Sequence, residues 1–350
     1  MAQQKALFLE SFGGEFAVRS TEIYKPGKGE ILVKVLATAL NPVDWKIQVF
    51  KMFVKEENYP AILGSDSAGI VEALGEGVAS FSVGDRVVHE ASFSSNKYAG
   101  FQQYVLVPAE IVAKIPDNIT FEQASTIPVG LATAVEGLYG DANRGETGAK
   151  KLAPPPWEAG GEGAFKGKSI IVIGGSTSVG QYVLQLLKLS GFSTIITTTS
   201  LHNADLAKSM GATHVIDRNA DLVSEARKIL DDPIDIVYDT VSSKETQAQS
   251  LDLVAPGGQV ISTLFLQVDK ADYPDKSITE IYADLHLPNL RALGVSLYGK
   301  LTELLASGAL KPNRVEVLPN GLAGIPAGLK RMERNEVSGM KLVVKPFETP

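Results

Sequence analysis

The sequence predicts an α/β protein in which a doubly wound parallel sheet is joined to a smaller β-barrel. Three observations carry this reading. Residues 168–191 read KSIIVIGGSTSVGQYVLQLLKLSG, a strand buried on both faces, a glycine turn and an amphipathic helix in succession. Further β-rich segments downstream alternate with helical stretches, the pattern of a parallel sheet. The first 125 residues instead hold short strands broken by Gly and Pro turns, the pattern of a small barrel.

Taken in order, strands are expected over 5–9, 15–20 and 30–39, the last reading EILVKVLATA. Gly27-Lys28-Gly29 is a turn before it, and Asn41-Pro42 ends it. A short helical piece begins over 43–47. Residues 81–88 give a turn at Gly84-Asp85 followed by a strand, and 100–108 another strand. A helix-like region over 120–139 connects barrel to sheet. The stretch 141–167, with Pro154-Pro155-Pro156-Trp157, is too broken for a regular element and reads as a lid, a binding loop or a merely mobile segment. Five sheet strands follow the pattern, over 169–173, 195–199, 214–216, 234–238 and 259–263, with helices over 179–189 and 204–210. A helix is expected over 283–306, then a strand over 314–318, a helix over 325–335 and a last strand over 339–345.

Length and composition set limits on function. A chain of 350 residues suggests about two domains. Its formal net charge of −7 argues against a nucleic-acid or anionic-membrane partner. Cysteine is absent, which excludes disulfides, thiolate zinc sites and a cysteine nucleophile together. Met1-Ala2-Gln3-Gln4-Lys5 leads into a strand rather than an apolar leader helix, and no apolar run has the length to span a bilayer. A cytoplasmic enzyme is expected.

Strand, glycine turn and helix form the first half of a dinucleotide-binding unit, in which turn N–H groups and the helix N-terminus face a pyrophosphate. The expected contacts are Gly175, Ser176, Thr177, Ser178 and Val179. With Gly175 as the first glycine of the fingerprint, Thr177 holds the second place and Gly180 the third. A side chain at Thr177 pushes phosphates outward unless its hydroxyl bonds them. An ordinary strand–turn–helix remains the alternative. The second strand ends Thr199-Ser200-Leu201-His202-Asn203, with no carboxylate before Asp205, which caps or opens the next helix. NAD sites want an acid there. Ser200, His202 and Asn203 suit a 2′-phosphate, and Arg218 can stack on adenine or pair with that phosphate. NADPH is therefore the expected cofactor, against a solvated turn with a surface arginine. Thr263 and Leu264, ending the fifth strand, are expected under the nicotinamide, with Asp239 and Thr240 in the same crevice unless Asp239 only caps a turn.

Asn41-Pro42-x-Asp44, Gly64-x-Asp66-x-x-Gly69, Gly84-Asp85-Arg86-Val87, the helix entering at Gly175 and Ser338-Gly339-x-Lys341 together resemble the medium-chain dehydrogenase/reductase superfamily, over essentially the whole chain. Within it the chain looks like the zinc-free branch of quinone oxidoreductases and enoyl reductases, and most like fungal trans-acting enoyl reductases. The resemblance implies a GroES-like catalytic domain over 1–125 completed by 305–350, and a Rossmann domain over 126–304. Zinc members carry Gly-His-Glu where this chain has Gly64-Ser65-Asp66, and its four histidines, His89, His202, His214 and His286, show no ligand spacing. No metal is expected.

The implied reaction is zinc-independent reduction of a carbon–carbon double bond conjugated to a carbonyl. Hydride goes to the β-carbon, and a donor stabilises the oxygen or delivers the α-proton. The resemblance puts Val43, Asp44, Trp45 and Lys46 at the nicotinamide side of the cleft, with Lys46 the candidate donor against a plain helix lysine. Tyr59 and Tyr139 are alternatives. Thr133 is a second candidate for the catalytic machinery, through a bond to nicotinamide or substrate. Leu131, Thr133, Leu138 and Tyr59 are expected toward the substrate, and Ser338 and Gly339 toward the nicotinamide. The substrate is a small molecule or a carrier-bound enoyl group, with Lys150, Lys151, Lys166 and Lys168 available to an acyl-carrier partner unless they are simply solvated. Monomer and homodimer both fit. Quinone reduction, and nucleotide binding without turnover, are the rival readings.

Overall fold

The computed structural model describes residues 2–140, 151–230 and 233–350. Lys150 and the first part of the 141–167 stretch lie outside these residues. The chain divides into two compact units: Met1–Val129 with Asp284–His286 and Arg291–Pro350, and Gly130–Ala283 with Leu287–Leu290.

The first unit opens with β1 (Gln3–Leu9) and β2 (Phe16–Glu22), an antiparallel pair, followed by β3 (Glu30–Ala39). Helix α1 (Pro42–Phe50) starts at Pro42, whose ring presets the helical φ and whose missing N–H is not needed there. It stops where Lys51 turns left-handed at φ 56°. Then come β4 (Ala61–Ile62), β5 (Asp66–Leu74), β6 (Arg86–Glu90), β7 (Tyr104–Pro108) and β8 (Val112–Lys114). The helix-like region expected over 120–139 is two helices, α2 (Phe121–Ala124) and α3 (Pro128–Tyr139). Pro128 explains the break, because the residue before a proline is disfavoured from helical conformation.

In the second unit β9 (Ser169–Ile173), α4 (Ser178–Leu189), β10 (Thr194–Thr199), α5 (Ala204–Met210) and β11 (His214–Asp217) follow the expected order. They are followed by α6 (Leu222–Arg227), β12 (Ile234–Asp239), α7 (Lys244–Leu253), β13 (Val254–Ser262) and β14 (Ser277–Glu280). The sheet is parallel throughout and has six strands in the order β11-β10-β9-β12-β13-β14, one more than the expected five. The strand order reverses between β9 and β12, so the ligand crevice of such sheets opens at their carboxyl ends. Its core is branched aliphatic, with Ile171, Ile196, Val237 and Val260 buried. Each such side chain contributes roughly 1.5–3 kcal/mol by leaving water.

The chain then returns to the first unit. The helix expected over 283–306 is shorter, α8 (Arg291–Ala306), because Pro288 lies in the preceding turn. This helix packs on the first unit, where Thr302 donates to the Lys114 carbonyl at 2.8 Å. In this division α8 lies in the first unit. Strand β15 (Arg314–Val317), helix α9 (Ile325–Glu333) and strand β16 (Met340–Val344) close the chain. The main sheet of this unit runs β15-β16-β3-β5-β6-β8 with β7 also on β3, and a smaller sheet runs β2-β1-β4. Leu9, Leu40, Ile47, Phe101 and Leu342 lie in its core.

The described part of the proline-rich stretch is anchored rather than lid-like. Leu152 N–H donates to the Leu138 carbonyl at 2.8 Å, and Trp157 meets Tyr139 edge-on at 5.5 Å. Phe165 N–H donates to the Ser190 carbonyl at 2.9 Å, just past the C-terminus of α4. That is the opposite end of α4 from the glycine turn. Lys166 and Lys168 belong to that distal end.

Candidate active site

The glycine turn is built from close backbone approaches. Gly174 has φ 81°, and a Cβ there would sit 2.7 Å from Thr240 Oγ1. A Cβ on Gly175 would sit 2.2 Å from Thr197 Oγ1. A Cβ on Gly180 would lie 2.2 Å from the Gly174 carbonyl oxygen, so only glycine lets α4 sit this close to the turn. These three positions let the turn pack this closely against Thr240, β10 and the start of α4.

Thr177 resolves the geometry its side chain had put in question. It is the N-cap of α4, and its Oγ1 accepts from Gly180 N–H at 2.9 Å. The same oxygen lies 2.9 Å from Thr240 Oγ1. Thr240 spends its own hydrogen on the Ile173 carbonyl at 2.7 Å, so Thr177 donates to Thr240. The Thr177 hydroxyl is thus committed inward. Ser176, Ser178 and Val179 are half-buried around it. Thr199 donates to Ser176 Oγ at 2.6 Å, tying the end of β10 to the turn.

At the end of β10 the expected contacts divide. Arg218 N–H donates to the Thr199 carbonyl at 3.0 Å, which brings exposed Arg218 beside half-buried Ser200. His202 is exposed. Asn203 is only 4% exposed, with its Nδ2 3.2 Å from His202 Nε2, so it supports the turn rather than facing solvent. No carboxylate precedes Asp205, which sits in the first turn of α5. Across the sheet, Asp239 caps a turn, accepting from Val241 and Ser242 N–H at 2.9 and 2.7 Å. Thr263 follows the end of β13 and Leu264 is half-buried beside it; Thr263 N–H donates to Ser242 Oγ at 2.9 Å. On α3, Leu131 and Leu138 are 1% exposed and Thr133 8%. The two leucines are therefore core residues in this state, and the Thr133 carbonyl accepts from Tyr238 at 2.7 Å.

The first unit holds the other candidates. Val43 and Trp45 pack against its core from α1. Lys46 is half-buried, its Nζ 5.7 Å from the Trp45 ring centroid, and burial pulls its ammonium below the usual lysine range. No carboxylate among the described residues lies within ion-pair distance of it. Tyr59 has a buried hydroxyl without a hydrogen-bond partner among the described residues, and burial raises its phenol. Ser338 is exposed and Gly339 is buried at φ 67°, just before β16. Asp44 departs from the expectation of a cofactor contact. It is fully buried and caps its own helix, with Oδ2 accepting from Asn41 N–H at 2.8 Å. Burial, with Asp66 nearby, pushes its carboxyl up to about 7.

One feature of this unit escaped sequence reasoning. Asp66 and Lys341 form a buried ion pair, with Asn41 donating to the same Asp66 oxygen at 2.8 Å. The sequence signal was there, an acid in Gly64-x-Asp66 and a base in a β-rich terminal strand, but nothing in it says that they meet.

The comparisons with known proteins agree with this architecture. Residues 27–117 match the Alcohol dehydrogenase GroES-like domain and residues 178–305 the Zinc-binding dehydrogenase family. The chain is 33% identical to trans-enoyl reductase himH of Aspergillus japonicus, covering 90% of this chain and 89% of that one. It is equally 33% identical to trans-enoyl reductase ACTTS2 of Alternaria alternata, over 99% of both. The chain belongs to the medium-chain dehydrogenase/reductase superfamily. Members of this superfamily are oxidoreductases that use NAD(P)H. Among solved structures, a putative zinc-dependent alcohol dehydrogenase from Rhizobium etli aligns over 99% of this chain and 98% of that one, with TM-score 0.82 and 23% identity. A mycobacterial protein solved in complex with NADPH aligns with TM-score 0.75 and 23% identity, over 98% of this chain and 100% of that one. At these identities the structures speak for the fold alone.

A glycine turn at a helix N-terminus suits the pyrophosphate of a dinucleotide, and Ser176, Ser178, Val179, Ser200 and Arg218 are the residues that would hold one here. Zinc does not fit at Gly64-Ser65-Asp66. The Asp66 oxygens are occupied by Asn41, Lys341 and Val129, and the chain has no cysteine. Among the described residues, no three His, Cys, Asp or Glu side chains are grouped to hold a metal ion. No described helix is long and apolar enough to cross a membrane.

Proposed function

We infer that this protein is an NADPH-dependent reductase of carbon–carbon double bonds conjugated to a carbonyl. The observation that carries the reading is the end-to-end similarity to trans-enoyl reductases at 33% identity, in a chain whose cofactor edge lacks the acid an NAD site uses. When bound, NADPH would supply the hydride that adds to the substrate β-carbon. Arg218 and Ser200 would receive the 2′-phosphate, and the turn around Ser176 and Ser178 the pyrophosphate.

The developing negative charge on the substrate carbonyl oxygen asks for a cation with no competing anion. Lys46 meets that description. It is half-buried, no carboxylate among the described residues pairs with it, and its depressed pKa makes it a ready proton donor. Tyr59, whose buried hydroxyl has no hydrogen-bond partner among the described residues, is the second group suited to the α-proton.

The test is NADPH oxidation against small enones, enoyl thioesters both free and carrier-bound, and quinones. Conjugated alkenes are expected to be consumed, and Lys46→Ala should slow them by roughly 10²-fold, the usual size of an acid–base contribution. Quinone reduction needs no dedicated acid. A rate confined to quinones and untouched in Lys46→Ala would replace this reading with the quinone one, and NADPH binding without any turnover would leave only a nucleotide-binding protein.

A further inference from the structure

We propose that Asp66 and Lys341 form a positioning node that sets the register of α1 and thereby of Lys46. The proposal rests on the reading of Lys46 as the proton donor. Asp66 is 0% exposed and Lys341 3%. A buried ion pair of this kind adds little stability over an apolar pair of similar volume, so its presence points to a geometric task.

The contacts define that task. Asp66 Oδ2 takes both the Lys341 ammonium and Asn41 Nδ2, the latter at 2.8 Å. Asp66 Oδ1 accepts from Val129 N–H at 2.7 Å, and the Asp66 carbonyl accepts from Thr38 Oγ1 at 2.6 Å. Lys341 Nζ also reaches the Thr126 carbonyl at 3.4 Å. One carboxylate therefore fixes the end of β3, the first turn of α3, strand β16 and Asn41. Asn41 is the N-cap of α1, and its own N–H is held by Asp44. The line Lys341–Asp66–Asn41–Asp44 locks the first turn of a nine-residue helix. Lys46 stands five positions along that helix, about 7.5 Å further at 1.5 Å per residue. A rotation or slip at Asn41 carries Lys46 with it.

Lys341→Met and the double variant Asp66→Asn/Lys341→Met separate this role from simple support of the fold. The double variant leaves no uncompensated buried charge, so it decides the matter if the single variant does not fold. The readouts are kcat with a conjugated alkene, the NADPH dissociation constant by fluorescence quenching, and amide hydrogen exchange. In the double variant kcat should fall by about 30-fold or more while the NADPH constant stays within about threefold. Exchange over residues 44–50 should speed up by about tenfold or more, with that of α4 unchanged. Unchanged exchange over 44–50, a kcat within about twofold of the parent, or parallel losses in kcat, NADPH affinity and α4 protection would each overturn the node. A parent protein that turns over no conjugated alkene would sink the reading of function instead, and the exchange comparison would still decide the node.

Discussion

The glycine turn of the second unit and the buried acid–base cluster of the first place polar groups by opposite means. At the turn, position is set by backbone: Gly174, Gly175 and Gly180 allow approaches that a Cβ would block, and the hydroxyls of Thr177, Thr240, Thr199 and Ser176 bond one another near the surface. In the first unit, position is set by charge in a buried interior, where Lys341 and Asn41 bond Asp66 and Asp44 accepts from Asn41 N–H. Backbone sites tolerate loss of a single hydroxyl. Buried charges do not tolerate loss of a partner, because the remaining ion has nowhere to go.

That contrast is open to attack by substitution. The largest effect should follow Lys341→Ala, which strands the Asp66 carboxylate. A stability loss of about 3–5 kcal/mol is expected in urea, against a clearly smaller one for Asp66→Asn/Lys341→Met. Equal losses would mean that charge is not what matters there.

Asp44 offers a pH test of the same interior. Its carboxyl sits at about 7 in the folded chain against 3.8 for the free group. The folded state therefore holds the proton more tightly, and stability should fall as pH rises from about 4 to 7. The full loss is on the order of 4 kcal/mol above that range. Asp44→Asn, which keeps the acceptor for Asn41 N–H, should flatten this slope in thermal melts taken between pH 5 and 8.

Gly180→Ala probes the other region. The added methyl would meet backbone, not a flexible side chain, so α4 must shift off the turn. NADPH affinity should drop by about tenfold or more while the urea midpoint changes by no more than about 1–3 kcal/mol equivalent. Arg218→Ala alters surface charge alone: it should weaken NADPH by about 1.5–3 kcal/mol, the scale of a charged hydrogen bond, and leave NADH nearly unaffected. Comparable losses for both nucleotides would remove Arg218 from the 2′-phosphate.

The same two regions differ in how far the sequence discloses them. Strand β9, helix α4 and the turn between them are legible because a β-branched run, glycines and helical apolar spacing are all local signals. Strand β3 and helix α5 emerge at their observed bounds for the same reason. Helix α7, reading KETQAQSLDL, has too few apolar residues to declare itself, and β14, reading SITE, is a four-residue edge strand known only through its pairing with β13. The commitment of Thr177 to Thr240 joins residues 63 apart, and the Asp66–Lys341 pair joins residues 275 apart. No local pattern encodes such meetings. The motif residues Asn41, Asp44, Asp66 and Lys341 could be singled out one by one, but their assembly into one network follows only from the fold.

The most direct measurement is steady-state NADPH and NADH oxidation by the purified protein with a conjugated enone or enoyl thioester, repeated on Lys46→Ala. Rapid alkene reduction with NADPH, much slower with NADH and roughly 10²-fold slower without the lysine amine, is the result expected. Alkene reduction that proceeds equally well with either nucleotide, or is indifferent to Lys46, would contradict the account.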